Sequence, residues 1–238
     1  MKNLRRYSKK EEIANSLTHG LGAIFGITAL IILLIYSIRA KDILSIIAFS
    51  IYGFCLILMY LSSTLYHSIS NKKAKEILRV FDHSSIFLFI AGTYTPVALL
   101  SLEGSLRVGI MIAIWSIAII GVIFKIFTAG KFDKYKAISL IIYIAMGWLA
   151  IFTFRPIVRM TSLKFMLWIL GGGLTYTLGT IFYSNKKIPY NHAIWHLFVL
   201  GGTVLHFIGI LIHLLWVNID SLVWGWLMKG VGMWIKQL

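Results

Sequence analysis

Several ionisable and hydroxyl side chains of this sequence stand inside apolar stretches, at spacings that bring them to one face of a helix. His192 and His196 are four residues apart, and so are Ser63 and His67, so each pair projects from one side of a helix. Three neutral imidazoles with an open fourth position form a catalytic type of zinc site, which makes His67, His192 and His196 candidate metal ligands. A carboxylate outside the ligand set could hold the water and take its proton, the role we predict for Asp82. Ser63 is the candidate that orients the His67 ring.

A structural cluster of hydrogen-bonded histidines is the competing interpretation. An H-x-x-x-H pair is a weak signal by itself, and the glutamate of the HExxH protease motif is absent because Ala193 stands at its position. Spacing alone therefore leaves both interpretations open. His206 and His213 lie deeper in the same predicted helix, where we expect hydrogen bonds within the bundle or a place along a cavity. For His83 we expect an interfacial or hydrogen-bonded role, and the spacing assigns no role to His19.

The composition requires lipid, rather than water, around most of the surface. Of the 238 residues, 59% are hydrophobic and only 13% are charged, too few to cover a water-facing domain. A net charge of +15 would suggest nucleic acid in a soluble protein. Here the Lys and Arg residues lie mostly between the apolar runs, which indicates membrane topology and anionic lipid, and no nucleic-acid partner. The single cysteine, Cys55, excludes an intrachain disulfide and a cysteine-only zinc site.

Seven apolar stretches are long enough to span a bilayer, which needs about 20 residues each. The first is too long for the core of a signal peptide, so we expect it to remain as a helix. We predict an all-α bundle of seven transmembrane helices over residues 1–217, followed by a Trp-rich interfacial tail over 218–238. The predicted helices cover roughly 16–37, 43–66, 80–101, 107–127, 137–154, 162–183 and 192–217.

The positive charges predict the orientation of the bundle. Fifteen of the 23 Lys and Arg residues fall in the N-terminus and the second, fourth and sixth gaps, against eight in the other gaps and the C-terminus. The positive-inside rule then places the N-terminus in the cytoplasm and the C-terminus outside. This topology brings one set of polar residues to similar depth on the cytoplasmic side: His19, Ser63, His67, Asp82, His192 and His196.

Four motifs follow one another along the chain: Glu12, Asn15, Thr18, His19 and Gly22; Ser63 and His67; Asp82 with Gly92–Pro96; and His192 and His196 with His206 and Phe207. In this order they resemble the hemolysin III family and its relatives, the progestin and adipoQ receptors. They belong to a wider group of membrane hydrolases that includes alkaline ceramidases. The resemblance implies a seven-helix bundle with a cytoplasmic N-terminus, zinc held by His67, His192 and His196, and a water positioned by Asp82. The short N-terminus and small gaps are similar to the bacterial branch.

The resemblance implies no single activity, because relatives carry names of toxins, receptors and enzymes. We predict a zinc-dependent hydrolase of lipid amides, in a multi-pass protein of a bacterial cell membrane, with membrane lipids as partners. A membrane-perturbing hemolysin, acting by cytolysis, is one alternative. A non-catalytic receptor or regulator of membrane lipid state with structural zinc is another, and a transporter is a weaker one. Substrate, identity of the metal and oligomeric state do not follow from the sequence.

Overall fold

Short connections join a series of apolar helices in the computed structural model, which describes residues 7–216. The predicted Trp-rich tail lies outside the described residues. A 3₁₀ segment, Leu149–Thr153, lies between α5 and α6, and a π-helical segment, Leu211–Trp216, follows α8. The helices are α1 (Lys9–Arg39), α2 (Ile43–Ser68), α3 (Lys72–Ser101), α4 (Gly104–Phe127), α5 (Lys136–Trp148), α6 (Phe154–Met160), α7 (Leu163–Ser184) and α8 (Asn191–Ile210).

Seven spans are long and apolar enough to cross a membrane within the described part of the chain, as the sequence predicts. Four of them are α1 to α4, and the sixth is α7. The fifth span, Lys136–Met160, combines α5, the 3₁₀ segment and α6, and the seventh, Asn191–Leu215, extends α8. Between residues 7 and 216 the chain contains no strand. The protein is therefore an all-α, seven-span membrane bundle.

Two helices begin earlier in the sequence than hydropathy predicts, because capping residues precede their polar first turns. Ser8 and Glu11 form a capping box before α1, so this helix begins seven residues before the predicted position 16. The Asn71 side chain accepts from the backbone N–H of Ala74, so α3 begins at residue 72 instead of 80. Asp82 consequently lies about three turns inside α3, not at its start. Hydropathy fails here because these first turns are polar, and polar caps carry no apolar signal.

The predicted fifth polar gap is also helical. Residues 155–159, which the sequence places in a solvated connection, form most of α6, since the 3₁₀ segment carries the helix on from α5. Pro96 is predicted to kink or end the third helix, yet α3 continues past it to Ser101. The helix on its C-terminal side is retained, because proline removes one backbone donor without removing those that follow.

Successive spans run in opposite directions, so the start of α1, the end of α2 and the starts of α3 and α8 lie at one end of the bundle. We call this the histidine end. α2 packs closely against α1 and α3, and α7 packs closely against α8, whereas α5 makes few contacts with its neighbours. Buried hydroxyls tie the centre together: Tyr60 and Tyr176 lie 2.9 Å and 3.0 Å from Thr203 Oγ1, which donates to Val199 O at 2.8 Å. This node joins α2, α7 and α8.

Candidate metal centre

Three histidine side chains meet at the histidine end, one from α2 and two from the first turns of α8. Ligand nitrogens of His67, His192 and His196 all lie within 4.8 Å of one another. The ring centroids of His192 and His196 are 4.4 Å apart, and that of His67 lies 5.1 Å and 5.4 Å from them. All three residues are buried, with exposed fractions of 3%, 8% and 1% for His67, His192 and His196. This geometry could hold one metal ion, because one nitrogen from each ring can reach a common point.

The His67 ring is held from outside the cluster by a carboxylate of α1. Its Nδ1 lies 2.6 Å from Glu12 Oε2, and Lys75 Nζ donates to the other carboxylate oxygen at 2.8 Å. An ionised carboxylate only accepts, so Nδ1 carries the proton and donates it. Nε2 is then the nitrogen with a lone pair, and it makes no hydrogen bond within the described residues. A buried imidazole with one nitrogen bonded to a carboxylate and the other unpaired suits a metal ligand.

The His196 ring is held by α1 as well. Its Nδ1 lies 3.1 Å from Asn15 O and 3.1 Å from Thr18 Oγ1. The Thr18 hydroxyl donates to Ala14 O at 2.8 Å, so its oxygen accepts from the ring. Nδ1 is therefore the donor, and Nε2 keeps its lone pair. Two of the three candidate ligands thus have their ring nitrogens assigned by acceptors on the same helix.

Aromatic rings enclose the cluster. His19 stacks on His196 at 3.4 Å with an angle of 17° between the rings, and its edge meets Tyr60 at 5.0 Å. His19 is buried but does not belong to the group whose ligand atoms share the 4.8 Å distance. Tyr7 stacks on His192 at 5.3 Å, at the outer side of the cluster. These contacts give His19 a packing role beside the candidate ligands, a role that its spacing in the sequence did not assign.

The Asp82 and Ser63 side chains are neighbours, and neither belongs to the group of three candidate ligands. The Asp82 carboxyl lines the same cavity as His192 and His196, but it is not a member of the histidine group. The Ser63 hydroxyl lies beside this carboxyl, outside hydrogen-bonding geometry. Ser63 makes no bond to His67, whose Nδ1 is instead held by Glu12. The structure therefore places a different residue in the orienting position that the sequence analysis gave to Ser63.

A cavity of about 180 Å³ begins at the histidine end and continues into the bundle. Its walls come mainly from α3, α5, α7 and α8, and most of the lining side chains are apolar or aromatic, among them Phe89, Ile144 and Val199. His192 and His206 both line it, and their separation of 14 positions in the sequence corresponds to about 21 Å along α8. The cavity is long and mostly apolar. Its charged side chains lie at the histidine end, whereas His206 and single hydroxyl groups add polarity deeper in the bundle.

The two deeper histidines hydrogen-bond within the bundle, as the sequence predicts. His206 Nε2 donates to Ile169 O at 2.9 Å, and His213 Nδ1 lies 3.2 Å from Ser162 Oγ. Glu12 holds the His67 ring, although its place in a sequence motif predicts no role for it. A signal for it exists: Glu12, with Asn15 and His19, occupies positions i, i+3 and i+7 of α1, one polar face in an apolar helix.

The sequence matches one family model and several known proteins. The family model described as Haemolysin-III related matches residues 7–207. The chain is 47% identical over 207 residues to "Hemolysin-3" of Bacillus cereus, covering 87% of this chain and 93% of the relative. It is 45% identical over 208 residues to "Hemolysin-3 homolog" of Bacillus subtilis (strain 168), covering 87% and 96%. It is also 33% identical over 169 residues to the human "Monocyte to macrophage differentiation factor", 67% of each chain. Together with the seven spans, these relatives indicate a bacterial multi-pass membrane protein.

Proposed function

The chain belongs to the haemolysin III-related family, and we propose that this member is a zinc-dependent hydrolase of lipid amides. The observation that carries the proposal is that the cluster of three buried histidines lies at the end of a long, mostly apolar cavity, which two of its members, His192 and His196, line. A structural metal clamp needs no such cavity, whereas a lipid hydrolase needs both a reactive centre and a channel for the chain.

The donor set fits zinc. Three imidazoles match the ligands of catalytic zinc sites, and the unpaired His67 Nε2 and the assigned His196 tautomer each offer a lone pair. His67, His192 and His196 would hold the ion. When bound, zinc supplies a Lewis acid that polarises a carbonyl and makes water a nucleophile at neutral pH.

The remaining chemistry falls to Asp82. Asp82 lines the same cavity as His192 and His196 without belonging to the histidine group. It is therefore available to accept the proton of an attacking water and to return it to the leaving amine. Asp82 is buried, so little bulk water would reach the carboxyl that exchanges the proton.

The cavity supports a lipid as the substrate. Its apolar walls would take one acyl chain along the bundle, while the polar histidine end would hold the amide near Asp82. α5 forms one wall and packs loosely against its neighbours. An acyl chain in this space would gain the stabilisation of apolar contact without opening the tightly packed α2 and α3.

The first test is the metal content of the detergent-purified protein by elemental mass spectrometry. We expect about one zinc per chain, lost in a His192→Ala/His196→Ala double variant. His213→Ala is the matched control, because this histidine belongs to the helical segment that follows α8 but bonds to Ser162 far from the cluster. A folded wild-type protein that carries no metal, also after incubation with zinc, would overturn the proposal.

The second test separates catalysis from structure. With ceramide-like and N-acyl lipids as substrates, we expect turnover by the zinc-loaded protein and loss of turnover in Asp82→Asn, with its zinc retained. If the rate never exceeds that of Asp82→Asn, zinc has a structural role. Removal of the metal would then lower the melting temperature alone, as expected for a clamp between α2 and α8 in a regulator of membrane lipid state.

Cytolysis is the second candidate function, and the observation that favours it is the name of the 47% identical relative, "Hemolysin-3". Dye release from liposomes measures it directly. Release at low protein density that is unchanged in the His192→Ala/His196→Ala variant would assign membrane perturbation to the chain. Release that requires the histidines would instead connect lysis to the lipid hydrolysis proposed above.

A further inference from the structure

Three basic side chains from three different helices line the histidine end of the cavity. Arg79 lies in α3, Lys125 near the end of α4 and Lys136 at the start of α5, and all three line the cavity. They are outside the histidine group and have no part in the hydrolysis mechanism. Basic residues that only report topology stand in water or at headgroups. The position of these three along an internal cavity therefore needs another explanation.

Lys125 is the most informative of the three because it is 3% exposed. Its ammonium donates to Ser139 Oγ at 2.5 Å and lies 5.5 Å from the Phe132 ring and 5.9 Å from the Tyr143 ring. Among residues 7–216, no carboxylate lies within 4.0 Å of it. Burying an ammonium is costly unless it is paired. A hydroxyl and two ring faces satisfy it in part, and the Asp82 carboxylate lines the same cavity without forming an ion pair with it. A bound anion would complete the pairing of the ammonium.

Neighbouring groups hold the other two cations in place. Arg79 reaches Asp133 at 3.2 Å, a carboxylate with a side chain that is 67% exposed, and the guanidinium lies 4.9 Å from the Phe132 ring. Lys136 donates to Tyr183 O at 3.0 Å and lies 3.8 Å from the Tyr183 ring. Guanidinium and ammonium groups held in this way are preorganised donors for phosphate or carboxylate oxygens.

The cavity is therefore complementary to an amphiphile with an anionic head. Its cations lie at the histidine end, and its remaining walls are mostly apolar and aromatic. We propose that Arg79, Lys125 and Lys136 form an oxyanion subsite that binds the phosphate or carboxylate head of a single-chain lipid, while the chain occupies the apolar part. This subsite needs no metal, and it goes beyond the hydrolase proposal because it would bind anionic lipid whether or not an amide is cleaved.

The test is competition between lipids with the same acyl chain on the full-length protein in detergent, read by native mass spectrometry. The probes are lysophosphatidic acid and lysophosphatidylcholine at equal concentration. We expect the wild type to retain the anionic lipid, and Lys125→Met to lose about tenfold in this preference, as for one charged hydrogen bond. Lys125→Arg keeps the charge and should keep the preference. The matched control is Lys73→Met, since Lys73 is an exposed lysine of α3 outside the cavity.

Several outcomes decide the proposal. Equal retention of the two lipids by the wild type overturns it, and so does an undiminished preference in folded Lys125→Met. If Lys125→Met does not fold, Arg79→Gln gives the same reading from another helix. Displacement of lysophosphatidic acid by inorganic phosphate assigns the subsite to a free anion, and resistance to phosphate assigns it to a lipid head. The His192→Ala/His196→Ala variant should keep the preference for the anionic lipid although it loses the zinc. A failure of the zinc proposal would therefore leave this result unchanged.

Discussion

The carboxylate of Glu12 should set the affinity of the candidate site for its metal without touching the ion. It accepts from His67 Nδ1 at 2.6 Å and is itself held by Lys75 at 2.8 Å. We predict that Glu12→Gln weakens zinc binding while the three histidines and the fold remain. The amide is the same size as the carboxylate and still offers an oxygen to Nδ1, so the change removes charge and leaves the shape.

The magnitude follows from the type of bond and its surroundings. The His67 side chain is fully buried and that of Glu12 is 20% exposed, so water screens their interaction only in part. A hydrogen bond to a charged group contributes about 1.5–3 kcal/mol, against about 1 kcal/mol for a neutral one. The difference, about 0.5–2 kcal/mol, corresponds to a loss of about twofold to thirtyfold in zinc affinity. This range overlaps the 10- to 100-fold losses typical of changes to groups that orient metal ligands.

The assay is competition for zinc between the purified protein and a chelator of known affinity, in detergent at fixed pH. Glu76→Gln is the matched control, because Glu76 is an exposed carboxylate of α3 with no contact to the cluster. Lys75→Met tests the next contact outward and should weaken binding less than Glu12→Gln, since Lys75 acts on the ring only through the carboxylate. Unchanged affinity in a folded Glu12→Gln variant would refute the assignment of Nδ1 as the donor.

Two packing predictions concern the helices that carry the site. Thr203→Val removes the hydroxyl that lies within hydrogen-bond distance of two buried tyrosines. It should destabilise the protein by about 1–3 kcal/mol, measured as a lower melting temperature. The control is Thr28→Val at an exposed position, and equal melting temperatures of the two variants would contradict the role of this node. Gly172→Ala places a methyl group where it overlaps the His206 ring, which should cost about 1–3 kcal/mol, whereas a Cβ at Gly173 meets nothing within 4 Å. Similar loss of stability in both alanine variants would show that helix α7 itself, and not this contact, responds to the change.

The sequence predicts the seven spans and the meeting of the histidines for simple physical reasons. Each span needs an apolar run of sufficient length, and hydropathy measures this directly. Antiparallel spans with short connections then bring the end of α2 and the start of α8 to the same end, which places His67 near His192 and His196. Spacing of four residues fixes the face on α8. No information from side-chain packing is needed for these steps.

Other features depend on contacts between helices, which a single sequence does not specify. The early start of α3 comes from the Asn71 cap, and it moves Asp82 three turns into the helix. The partner of His67 could not be chosen between Ser63, on its own helix, and Glu12, on a neighbouring one, because the choice depends on how α1 is rotated against α2. The cavity is lined by α5, which makes few contacts with its neighbours, and by the buried Lys125 of α4. No local sequence pattern predicts an unfilled space between helices.

The role of α1 explains why a helix without a candidate ligand carries so many of the motif residues. Glu12 fixes the donor nitrogen of His67, and the Asn15 carbonyl with the Thr18 hydroxyl fixes that of His196. A ring in the opposite tautomer would present an N–H to the ion instead of a lone pair, so these acceptors decide whether the rings can bind a metal at all. They also connect α2 with α8. A rotation of α1 would release both rings together. The orientation of the candidate ligands therefore depends on how α1 packs against α2 and α8.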